Sequence, residues 1–141
     1  MRISAKIDYA CRALLELSLH WPNTAPRQVA EIARDQKIPM KFLTHILIAL
    51  KSAGYVQSAR GKSGGYFLLQ SPAKIKLVDV VRNFGGLVLN EEAQKSSQTS
   101  DVMRTIWREI DDLVLKNLEP INFETIVNRK RAQAKAIVYD I

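Results

Sequence analysis

Residues 37–70 read KIPMKFLTHILIALKSAGYVQSARGKSGGYFLLQ. Pro39 suits the first turn of a helix, where its missing N–H is not needed. Phe42, Leu43, Ile46, Leu47 and Leu50 then recur at helical spacing and predict a wide apolar face. The opposite face carries Lys41, Thr44, His45, Ile48 and Ser52. Gly54 fits the left-handed position that stops such a helix, near Ala53. Two short runs rich in β-formers follow, near 55–60 and 66–70, joined by Gly61, Lys62, Ser63 and Gly64. This order of helix, stop, strand, basic glycine-rich tip and returning strand predicts a winged helix-turn-helix. In that arrangement one helix enters a DNA major groove and a hairpin lies beside it.

On the N-terminal side, Ile3, Ile7, Ala10, Leu14, Leu17 and Trp21 form one stripe and predict a helix over 3–20, with Lys6, Arg12 and Glu16 off the stripe. WPNTAP breaks it. Thr24 is the expected N-cap of a second helix, about 27–36, with Pro26 in its first turn. Beyond the hairpin, Pro72 is a stop, and Ile75, Leu77, Val78, Val80 and Val81 predict a strand-like entry and a short helix closed by Gly85 and Gly86. Residues 87–100 lose periodicity and predict a flexible connection. A long helix follows over 101–118. Val102, Ile106, Ile110, Leu113 and Asn117 form one row on it, and Trp107, Val114 and Leu118 an adjacent one. So broad a stripe suggests a dimer; a core helix packed on its own domain is the alternative. Pro120 ends this helix, Asn122 caps a short last one over FETIVNR, and the tail has helical potential without an evident partner. The expected organisation is thus 1–86 as a mainly α domain with a β-hairpin wing, 87–100 as a connection, and 101–141 as a dimerisation helix and tail.

Charge supports the division. Residues 1–80 carry 12 Lys/Arg against 5 Asp/Glu, while 81–141 carry 9 against 9. The whole basic excess sits with the predicted reader, where it would favour a polyanion. The third helix offers Lys41, Thr44 and His45 to base edges or phosphates, and the tip offers Arg60 and Lys62 on a turn that permits close approach. A plain solvated face is the alternative for the helix alone; the hairpin that follows argues against it.

Other chemistry finds little support. Gly61-Lys62-Ser63 resembles the end of a phosphate-binding loop, but that motif needs glycine where Val56 stands and a helix where YFLLQ follows. Cys11 is a lone cysteine, expected as a small buried thiol. With His20 and His45 it has no chelating spacing, so no metal is expected. Adjacent Asp111 and Asp112 point to solvated charges, not an acid–base pair. No enzyme, cofactor or transmembrane segment is expected, and a cytoplasmic location follows by default.

Three segments together resemble the Rrf2 family of bacterial transcription regulators: IDYACRALLELS, the run from VAEIARDQ through the wing to LLQSP, and IKLVDVVRNFGG. The C-terminal INFETIV also fits. The resemblance implies a homodimer on a partly palindromic operator, joined through the long C-terminal helices. It implies major-groove contacts at Pro39, Lys41, Thr44 and His45, wing contacts at Ser58, Arg60 and Lys62, and a phosphate contact at Gln28. Cluster-binding members of the family carry three cysteines between the GG pair and the long helix. Here LVLNEEAQKSSQTSD has none, and Asp8 stands where some members place an acidic ligand. The expectation is a cluster-free DNA-binding repressor governed by a small effector or a partner protein. A winged module that has lost specific DNA binding is the alternative; its binding would be insensitive to salt and sequence.

Overall fold

The computed structural model describes residues 2–22, 25–87, 95–96 and 100–139. Helix α1 (Ala5–Leu19) starts at Ser4, whose Oγ accepts the Ile7 N–H at 3.2 Å. It buries Ile7, Ala10, Leu14 and Leu17 as the stripe predicts, and Ala13 and Glu16 as well. The ends of the stripe fall outside the core: Ile3 is exposed and Trp21 half-buried.

Helix α2 (Val29–Gln36) begins after Gln28, later than expected. The reason is Arg27, whose backbone is engaged in an antiparallel bridge with Tyr66; each N–H donates to the other's carbonyl at 2.8 Å. Thr24, the expected cap, lies outside the described residues. Lys37 takes a left-handed conformation (φ 53°) and turns the chain toward α3 (Met40–Ser52), which starts at Pro39. Leu43, Ile46, Leu47 and Leu50 are buried, but Phe42 is 51% exposed. The core accepts a narrower arc of α3 than its apolar residues span. The helix closes with Tyr55 N–H on Leu50 O (3.0 Å) and Gly54 N–H on Lys51 O (3.1 Å), Gly54 sitting at φ 84°. This paired cap needs a left-handed residue at Gly54 and aims the chain into the hairpin.

Strands β1 (Val56–Ala59) and β2 (Gly65–Leu68) pair antiparallel, Val56 opposite Leu68 and Ala59 opposite Gly65. A 3-10 turn (Pro72–Lys74) and helix α4 (Leu77–Asn83) follow. Residues 88–94 and 97–99, within the expected connection, lie outside the described residues. Helix α5 (Asp101–Leu118) has the expected bounds, with Ser100 Oγ accepting the Met103 N–H at 3.4 Å.

The last helix is not short: α6 runs Phe123–Tyr139, 17 residues. Asn122 caps it as expected, its Oδ1 accepting the Thr125 N–H at 2.9 Å. The exposed second half is rich in Ala, Lys, Arg and Gln, whose intrinsic preference sustains a helix without a packed face. Its first turn is anchored: Phe123 is fully buried in the core shared by Leu14, Ile32, Leu43, Leu50 and Ile75. Leu77 N–H donates to Ile121 O (2.9 Å) and Phe123 N–H to Ile75 O (3.0 Å). The chain after α5 is thereby fastened to the strand-like entry before α4. None of the described helices is long and apolar enough to cross a membrane.

Candidate nucleic-acid interface

The candidate surface is assembled from three pieces. The first is the N-terminal half of α3. Pro39, Lys41, Thr44 and His45 are all exposed there, and the first turn carries no acidic residue. Free N–H groups at a helix start and a lysine beside them favour an anion. Thr44 Oγ1 donates to Met40 O at 3.0 Å, which leaves its oxygen as an acceptor for an incoming donor.

The second piece is the wing, with Arg60 and Lys62 exposed at its tip and Ser58 half-buried on its inner strand. Lys51, which the sequence did not single out, reaches from α3 to donate to Ser58 Oγ at 2.7 Å. The signal for it was available: Lys51 lies three residues after Ile48 on the same outward face. Among the described residues, Lys41, Lys51, Arg60 and Lys62 form no ion pair, so their charge is available to a partner. By contrast, Arg12 pairs with Asp8, and Arg34 with Asp35. Arg34 holds the Asp35 carboxyl below its ordinary range, chiefly through a hydrogen bond.

The third piece is Gln28, at the start of α2. Its Nε2 donates to the Lys62 backbone oxygen at 3.2 Å. Gln28 therefore braces the wing, in addition to being exposed at the surface where a phosphate contact was expected.

Arg27 unites these pieces. Its backbone is bridged to β2 through Tyr66, and its guanidinium reaches Glu16 of α1 (3.1 Å), Glu31 (3.0 Å) and Asp35 (2.8 Å) of α2. Glu16 is 4% exposed and also accepts from Gln36 Nε2 at 2.9 Å, with His20 Nε2 3.2 Å away. Such a buried carboxylate is tolerable only with several donors around it. Sequence periodicity placed Glu16 off the apolar stripe and so missed it; nothing local reveals a partner eleven residues along. Gly65 makes the bridge possible. It sits at φ +147°, and a Cβ there would lie 2.1 Å from Arg27 O.

The rear helix divides its apolar residues. Val114, Leu115 and Leu118 pack, half-buried, on the protomer's own core through one side of α5. Val102 is 69% exposed, Leu113 58% and Ile106 38%, while Trp107 and Ile110 are half-buried. Asp111, expected to be solvated, is buried. Asp112 is exposed, so the two carboxylates point apart.

The chain matches the family model Rrf2, described as an iron-dependent transcriptional regulator, over residues 3–129. It belongs to the Rrf2 family. An IscR regulator of Pectobacterium atrosepticum is 31% identical, the match covering 92% of this chain and 81% of that one. An rrf2-like protein of Rhodobacter capsulatus is 42% identical over 60% of this chain, which spans only 57% of that relative's length. Among solved structures, T. potens IscR superposes with a TM-score of 0.76 at 25% identity, covering 92% of this chain and 88% of its own. CymR, the global cysteine regulator of B. subtilis, gives a TM-score of 0.74 at 26% identity, covering 92% of this chain and 98% of that one. The Rrf2 fold is thus a winged helix-turn-helix here too, and the chain is a DNA-binding transcription regulator rather than an enzyme.

The family's description raises iron. The chain has one cysteine, Cys11, half-buried on α1, and burial together with the charge of Asp8 pushes its thiol up to about 11. Asp8 itself is held by Arg12, whose Nε donates at 3.0 Å. No group of three His, Cys, Asp or Glu converges among the described residues, and residues 87–100 contain neither cysteine nor histidine. An iron–sulfur cluster is held mainly by several thiolates. This donor set does not fit one.

Proposed function

We propose that this Rrf2 protein acts as a homodimer that represses transcription from a partly palindromic operator, without an iron–sulfur cluster. The observation that carries the reading is the set of four unpaired cations, Lys41, Lys51, Arg60 and Lys62, shared between α3 and a wing braced against it. Lys41, Thr44 and His45 would meet base edges from the first turns of α3, with Pro39 setting its start. Ser58, Arg60, Lys62 and Gln28 would meet backbone phosphates or the adjacent minor groove. Two such readers need a twofold axis. The exposed apolar row of α5, Val102, Ile106 and Leu113 with Trp107 and Ile110 beside it, supports a self-complementary contact there. Val114 and Leu118 would support that contact from beneath. The control input would be a small effector or a partner protein, and the setting the cytoplasm.

Fluorescence anisotropy on duplexes from the protein's own promoter region tests the reading. Lys41→Ala and Arg60→Ala should each lose about 1–3 kcal/mol if they contact bases, and a phosphate contact should flatten the salt dependence by about one ion. Affinity should be the same for protein purified with and without oxygen. Sequence-blind binding that ignores salt and both substitutions would end the operator proposal. Visible iron–sulfur absorption after anaerobic purification would end the cluster-free part.

A further inference from the structure

A cavity of about 190 Å³ lies where α1, the 3-10 turn and α6 meet. Pro72, Ala73, Val127 and, just beyond the end of α1, Trp21 contribute its apolar lining. Its rim is ionic. Glu124, Asn128 and Arg131 stand at i, i+4 and i+7 on α6, hence on one face. Glu124 and Arg131 are about 10.5 Å apart along the helix axis at the usual rise, too far for easy mutual neutralisation. Among the described residues, none of these three side chains makes a hydrogen bond or ion pair, and the Trp21 indole N–H has no protein acceptor. Solvent-exposed polar groups without a protein partner, set beside an apolar lining, are what a ligand site can use.

We propose that this cavity binds a small zwitterion of the α-amino-acid type. Its carboxylate would meet Arg131, its ammonium Glu124, and its side chain the apolar lining that includes Trp21. Charge selects this class. A phosphate or a dicarboxylate would face Glu124, and a simple amine would leave Arg131 without a counter-charge. Size selects it too, since drug-sized ligands use roughly 300–1,000 Å³. The cavity joins the base of the hairpin, through Ser71 to Ala73, to the helix that follows α5. A bound ligand would hold these elements in one arrangement and so bias operator affinity. That regulatory consequence rests on the proposed function; the binding itself does not.

The full chain, free of DNA, is titrated with each proteinogenic amino acid in turn, with Trp21→Phe in parallel to identify the share of the emission that Trp21 reports. At least one should change Trp21 emission saturably and raise Tm. For that amino acid, Arg131→Gln and Glu124→Gln should each weaken binding about tenfold or more. Its decarboxylated amine and its deaminated acid should fail likewise, and Lys130→Gln should bind as wild type. Equal ligand-free Tm values for the rim variants separate lost binding from lost folding; Arg131→Lys should retain partial binding. If no amino acid gives a saturable change, or if both glutamine variants bind like wild type, the assignment is wrong. Operator affinity measured separately distinguishes this failure from failure of the repressor reading.

Discussion

In the front half, α3 turns Lys41, Thr44 and His45 outward, and the buried Glu16 carboxylate beneath accepts from Arg27 and Gln36. In the rear half, α5 turns Val102, Ile106 and Leu113 outward, while its inner edge of Val114, Leu115 and Leu118 packs on the protomer. Both surfaces are unfinished, but differently. Cations on a well-tied scaffold suit a partner that is charged and released by salt. An aliphatic row on a long helix suits a partner that stays, because removing such area from water is favourable at any ionic strength.

The most damaging way to break this contrast is at the front scaffold. Glu16→Ala removes one of Arg27's three counter-ions and the acceptor of Gln36 Nε2, and should cost about 1.5–3 kcal/mol of folding stability, read by urea denaturation. Glu16→Gln should recover part of that by keeping hydrogen-bond acceptance. At the rear, Leu113→Ala should leave the protomer's circular dichroism intact and weaken self-association by about 1.5–3 kcal/mol per side chain lost, measured by analytical ultracentrifugation. A protomer that unfolds instead would place Leu113 in its own core. Gly65→Ala sharpens the front half further. The Cβ must push Arg27 away, so a loss of about 1–3 kcal/mol is expected, with operator affinity falling by more than stability does.

The smallest effect concerns Cys11. With its thiol raised to about 11 against an ordinary 9.0, alkylation at mildly basic pH should run about a hundredfold slower than in the unfolded chain. The fold favours the neutral thiol. Its contribution is therefore complete below the unfolded value and is lost as pH rises through the folded one. Fast labelling in the native state would show that α1 opens locally.

Local signals were legible. Pro120 ends α5, Gly54 stops α3, and the tip cations mark the wing, because each acts through its immediate neighbours. Relations across the chain were not. Glu16 looked solvated because its donors come from residues 27 and 36. Arg27 looked helical because its bridge partner is Tyr66. Phe42 looked buried because an apolar residue beside a core stripe is indistinguishable from one within it. The tail, read only as having helical potential without a partner, continues the last helix as far as Tyr139, sustained by its composition.

Arg27 has one further consequence. The same residue clamps two helices with its side chain and the hairpin with its main chain, so the ribbon cannot swing independently of the body that carries α3. The tilt proposed for it toward a groove would be settled when the polypeptide folds. Little orientational freedom would then remain to be surrendered on the double helix.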